Sequence, residues 1–126
     1  MLTPTSNASS GRVGGLEVRI DHDSVVHVAG DVDFATAPPL EAALQSLVDR
    51  GGVVVDLACV EYMGAVGIHL LSDAARAIGA RGRVVLRDPQ PIVRLLIDIT
   101  HLERLVDVVV TAPGRQVVAP SDLLIV

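Results

Sequence analysis

Apolar and polar residues alternate along LEVRI (16–20), the period of a strand half-buried against a core. DHDS turns the chain, and VVHVAG (25–30) predicts a second strand, so the two are expected to form a hairpin. The period then changes. Leu40, Ala43, Leu44, Leu47 and Val48 recur at helical spacing, with Thr36 as the expected N-cap, Pro38 and Pro39 in the first turn and Gly51-Gly52 as the stop. The continuous apolar run VVVDL (53–57) predicts a central strand buried on both faces. EYMGAVGIHLL (61–71) opens a second helix, whose buried face is Ile68, Leu71, Ala74, Ala75 and Ile78 and which GARG (79–82) ends. RVVLRD (83–88) is a further strand. Pro89 and Pro91 lead into a third helix with an expected apolar stripe of Ile92, Leu95, Leu96 and Ile99; Leu102 and Leu105 pack after a bend. VDVVV (106–110) is a last strand.

The resulting order is β-β-α-β-α-β-α-β. Strands that alternate with helices require right-handed crossovers and parallel pairing, which makes the fold class α/β, a mixed sheet of about five strands covered by helices. One domain is expected over residues 15–110. Residues 1–14, rich in Ser, Thr, Asn, Gly and Pro, read as a flexible N-terminal tail. Residues 111–126 form a C-terminal extension with three apolar clusters and no helical period. Its alternatives are an edge strand, a cover for an apolar groove on this chain, or a cover on a neighbour, and the last of these would make a homodimer.

Composition narrows the picture. Half of the 126 residues are apolar, yet Phe34 and Tyr62 are the only aromatics, so the core is built from Val, Leu, Ile and Ala. The net charge is −5 and every basic residue is Arg, with no basic stripe. Nucleic-acid binding is therefore disfavoured, because phosphate neutralisation needs clustered positive charge. No apolar segment approaches a membrane-spanning length, and no basic region precedes an apolar run at the N-terminus. The expectation is a cytoplasmic protein with no membrane contact. Cys59 is the sole cysteine, which excludes an internal disulfide. It reads as a buried or half-buried inert thiol, with a redox-sensing, dimerising thiol as the alternative.

The candidate chemistry is sparse. His22, His27, His69 and His101 have no zinc-ligand spacing and read as surface or satisfied core residues. Asp31, Asp33 and Asp56 stand at strand ends, where turn and cap roles are expected; no His, Ser or Lys is spaced to complete an acid–base site. There is no phosphate-cradling glycine loop and no nucleophile elbow. No enzyme, cofactor or metal is expected.

Three segments together resemble a known family. GDVDFATAPPLEAAL, VVVDLACVEYMGAVGIHLL and GARGRVVLRDPQPIVRLLIDITHLERLV are similar, in order and spacing, to the corresponding segments of STAS-domain anti-sigma factor antagonists. The resemblance covers roughly residues 16–110. It implies a partner that is both an anti-sigma factor and a serine kinase. Phospho-regulated members carry a motif of the form Asp-Ser-Ser/Thr-Gly at the start of the second helix, and phosphorylation there breaks the complex. Aligned on Gly67, this chain reads Gly64-Ala65-Val66-Gly67. Val66 stands at the phosphoacceptor position and Gly64 at the acidic one, so the resemblance implies an antagonist without the usual switch. The partner surface it implies comprises Gly64, Ala65, Val66, Gly67 and His69 with Asp31, Asp33 and Thr36. Open alternatives are a scaffold or adaptor domain that binds a transporter ATPase or a sensor assembly, a redox sensor through Cys59, and a small-ligand sensor.

Overall fold

The structure is a computed structural model that describes residues 9–111, with side chains from Gly14 onward. Its strands are β1 (Ser9–Val13), β2 (Leu16–Ile20), β3 (Val25–Val32), β4 (Val53–Met63), β5 (Val84–Arg87) and β6 (Val106–Val109). Its helices are α1 (Pro38–Val48), α2 (Ala65–Ile78) and α3 (Pro91–Ile99). Short 3₁₀ turns follow α2 at Gly79–Arg81 and α3 at Leu102–Arg104. The strands lie in one sheet in sequence order, β1 to β6. β1 to β3 pair antiparallel, and β3 to β6 pair parallel through the three helical crossovers. The mixed α/β sheet expected from the hydrophobic pattern is present, with one strand more. That strand is β1, formed by Ser9–Val13, residues that composition alone assigns to a tail. The C-terminal extension from 112 onward lies outside the described residues.

Register explains which face of the sheet is covered. Val18 pairs with Val28, Val26 with Val55, Val55 with Leu86 and Val84 with Val106, so these side chains share one face. They join a single core with Leu40, Leu44 and Leu47 of α1, Ile68, Leu71 and Ile78 of α2, and Val93 and Ile97 of α3. The neighbouring positions Glu17, Arg19, His27, Val54, Asp56, Val85 and Arg87 point the other way and stay half-buried or exposed. Among the described residues, VVVDL is thus covered on one face only. Val53, Val55 and Leu57 are buried, whereas Val54 and Asp56 on the other face are half-buried.

Three further expectations change. β4 continues to Met63, so Glu61–Met63 end a strand and α2 begins only at Ala65. Ala37, not Thr36, is the N-cap of α1. The inward residues of α3 are Val93 and Ile97, with Leu96 half-buried, whereas Ile92, Leu95 and Ile99 are 51%, 50% and 62% exposed. Gly30 is held at φ +109, and a Cβ there would come within 1.8 Å of the Gly15 carbonyl oxygen. Glycine at this point lets the β2–β3 hairpin close against the turn that precedes it.

On the face opposite the helices, His27 of β3 joins Asp21, just after β2, to Asp56 of β4. Its Nε2 lies 2.7 Å from Asp21 Oδ2 and its Nδ1 3.2 Å from Asp56 Oδ2, and Arg87 donates to the same Asp56 oxygen at 3.3 Å. The hydrogen bond with His27, assisted by the Val25 and Asp23 backbone N–H groups, lowers Asp21 from 3.8 to about 2. A depressed carboxylate stabilises the fold above its unfolded pKa, and the contribution disappears as pH falls from 3.8 to about 2. In an NMR pH titration, Asp21 of His27→Ala is expected to move back toward the ordinary carboxylate value. An unmoved midpoint would show that the backbone donors alone hold it down.

Candidate functional site

The carboxyl ends of β3 and β4 meet the start of α2. β3 ends with Asp31 opposite Tyr62 and Val32 opposite Met63. The Gly64 N–H donates to the Val32 carbonyl at 2.8 Å, which ties the N-cap of α2 to β3. Gly64 is extended (φ −86, ψ −177), and no side chain caps the helix. The helix therefore begins with a bare turn of Gly64, Ala65, Val66 and Gly67, whose first N–H groups receive no side-chain acceptor.

Gly67 is buried for a packing reason. A Cβ at this position would come 2.5 Å from Met63 Cγ and 3.0 Å from Val32 Cγ1, so the glycine lets α2 lie directly on the strand ends. Val66 is half-buried and packs on the core. Ala65 and His69 are exposed. The turn thus offers backbone and a small apolar surface, without a hydroxyl, thiol or carboxylate.

The loop between β3 and α1 is closed by its own side chains. Asp33 Oδ1 accepts from the Ala35 and Thr36 N–H groups at 2.9 and 3.0 Å. Thr36 Oγ1 donates to the Asp31 carbonyl at 2.7 Å and accepts from the Asp33 N–H at 2.9 Å. Thr36 is only 6% exposed, the buried polar side chain among the described residues. The hydroxyl of Thr36 and one oxygen of Asp33 are therefore engaged in holding the turn. Asp31 is exposed and Asp33 half-buried, so of the eight residues suggested by sequence, Asp31, Asp33, Gly64, Ala65, Val66 and His69 reach the surface here, while Thr36 and Gly67 support it from below.

Three residues outside that set also reach the surface at this end. Phe34 is 88% exposed, Tyr62 51%, and Glu61 is exposed beside Tyr62. Their signal in the sequence is that the only two aromatics each follow an acid, in Asp33-Phe34 and Glu61-Tyr62. Cys59 lies apart, near His27 and Asp56, and is exposed, contrary to the buried or half-buried thiol expected. Among the described residues, no three His, Cys, Asp or Glu side chains could hold a metal. No helix among them is long and apolar enough to cross a membrane.

Comparison with known proteins places the chain among its relatives. A STAS domain family model matches residues 16–114. The anti-sigma-F factor antagonist RsfB of Mycobacterium tuberculosis is 34% identical over an alignment of 79 residues, which takes in 53% of this chain. That alignment spans 65% of the relative's length, just under two thirds. The crystal structure of an anti-sigma factor antagonist from Mycobacterium paratuberculosis superposes with a TM-score of 0.63 at 26% identity, over 86% of this chain and 90% of that one. The structure of the anti-sigma factor antagonist SpoIIAA shares the fold, with a TM-score of 0.59 at 15% identity over 86% of this chain and 92% of that one.

Proposed function

This chain belongs to the STAS domain family, and on that premise we propose that it is an anti-sigma factor antagonist. It binds an anti-sigma factor in the bacterial cytoplasm and thereby frees a sigma factor for transcription. The observation that carries this reading is the start of α2, a bare turn of small residues at an exposed strand end, flanked by Asp31 and Asp33. A surface of this kind suits contact with a protein, and the turn itself contains no nucleophilic side chain. The names of the relatives from M. tuberculosis and M. paratuberculosis support the same partner class. The partner is of the serine-kinase type, but Val66 provides no oxygen for a phosphate. Release by phosphorylation at this turn is therefore closed to the chain.

Transcription in vitro tests the reading. RNA polymerase with a sigma factor, silenced by the anti-sigma factor of the same genome, is expected to recover when the wild-type chain is added. Val66→Asp places a charge where phosphate acts in switchable members, and about tenfold more protein should then be needed. Failure of the wild type to bind or relieve any anti-sigma factor of its genome would overturn the reading.

A further inference from the structure

Phe34 and Tyr62 are the only aromatic residues of the chain, and neither enters the core. Both emerge at the same end of the sheet. Phe34 sits on the turn after β3, and Tyr62 is the next-to-last residue of β4, opposite Asp31. Apolar surface as large as an aromatic ring is usually buried. Here both rings are left in water at the same end of the sheet.

The backbone that carries them is fixed. The Phe34 turn is closed on either side by the Asp33 carboxylate and the Thr36 hydroxyl. Tyr62 is held by strand pairing, and its hydroxyl lies 3.4 Å from where a side chain on Gly64 would begin. The ring is therefore continuous with the α2 turn. An aromatic side chain has few rotatable bonds, so one presented by a fixed backbone loses little freedom on docking. That is the profile of residues that dominate protein interfaces.

The segments that carry the rings are acidic. Asp33 precedes Phe34, Glu61 precedes Tyr62, and residues 31–49 and 57–75 contain no Lys or Arg. A partner that covers both rings meets carboxylates around them, so basic side chains at its rim are the complement.

We infer that Phe34 and Tyr62 are the two anchors of this chain, docking into apolar seats edged by basic side chains on its protein partner. The inference rests on the proposed function for the partner's identity, an anti-sigma factor, and adds which residues bind it. It also places the main anchors beside the turn that would carry a switch.

The test is calorimetric titration of the full chain with the purified anti-sigma factors of the same genome. Phe34→Ala and Tyr62→Ala are each expected to weaken the wild-type complex by about tenfold or more. Ile92→Ala, at an exposed apolar residue of α3, is expected to bind within about twofold of wild type. Both aromatic substitutions are at exposed sites, and thermal unfolding should coincide with wild type. If the wild type binds and either aromatic variant stays within about threefold of it, the anchor inference fails alone, since that loss is below hot-spot size. If the wild type binds none of these proteins, the proposed function fails and the inference with it. Sedimentation addresses the rival occupant. A wild-type dimer that Phe34→Ala converts to monomer would assign the rings to a second copy and overturn the inference.

Discussion

Incubated with the proposed partner kinase and ATP, the wild-type chain is expected to keep its unphosphorylated mass. The first turn of α2 contains no hydroxyl, and the nearby alternatives are closed for separate reasons. Thr36, adjacent in space by sequence reasoning, is 6% exposed, and its oxygen both donates to the Asp31 carbonyl and accepts from the Asp33 N–H. A kinase would have to unfold the turn to reach it. Ser72 lies six residues beyond Val66, about 9 Å along the helix axis at 1.5 Å per residue. Its oxygen also accepts a hydrogen bond from Arg76 at 2.9 Å. A kinase seated on the start of α2 would have to bind in another pose to phosphorylate it. Val66→Ser puts a hydroxyl at the matching position and should allow one phosphate per chain, slowly, because Gly64 stands where switchable members carry an acid. Val66 is half-buried, so this substitution costs about 1 kcal/mol of packing and leaves the fold intact. Intact-mass spectrometry reads the result. A single phosphate on wild type, mapped to Thr36 or Ser72, would show that the switch has moved to another residue.

The second large effect separates the two faces of α3. Ile97→Ala is expected to lower stability by about 2–5 kcal/mol, because Ile97 is fully buried in the core and its loss leaves a cavity under the sheet. Leu95→Ala, at a residue 50% exposed, should change stability by less than about 0.5 kcal/mol. Urea unfolding of the two variants decides the orientation of the helix. A larger loss for Leu95→Ala than for Ile97→Ala would mean that α3 presents its other face to the sheet.

That contrast shows where sequence patterning reached its limit. In PIVRLLIDI, six of the nine positions are apolar: Ile92, Val93, Leu95, Leu96, Ile97 and Ile99. Helical spacing fits Ile92, Leu95, Leu96 and Ile99, and it fits Val93 and Ile97 equally well. A helix apolar around most of its circumference does not encode which stripe turns inward. The connections from β5 and to β6 set that rotation, and they act through residues distant in sequence. In α1 and α2, charged and polar residues interrupt the apolar stripe, and Leu40, Leu44, Leu47, Leu71 and Ile78 are buried where periodicity places them. The candidate site divides in the same way. The absence of a reactive group at Gly64-Ala65-Val66-Gly67 was legible directly. The burial of Thr36 was not, because a threonine before a proline-led helix has the same local signature whether it caps the helix or turns back to bond Asp31 and Asp33.

The sequence by itself determined the order of elements from β2 to β6, the aliphatic core, and a turn without a phosphoacceptor, since each depends on local spacing or residue chemistry alone. Only the tertiary structure decided the pairing of Ser9–Val13, whose partner lies in β2, and the face of the sheet on which the helices pack, which follows from register. It also decided the side of α3 that is buried and the emergence of Phe34, Tyr62, Asp31 and Glu61 at one end of the sheet, with Tyr62 against the start of α2. These four residues come from two segments roughly 30 positions apart, too far for local periodicity to relate them. Parallel pairing of β3 with β4 brings Asp31 opposite Tyr62, and a crossover that binds residues so distant in sequence leaves no mark in the local pattern of either.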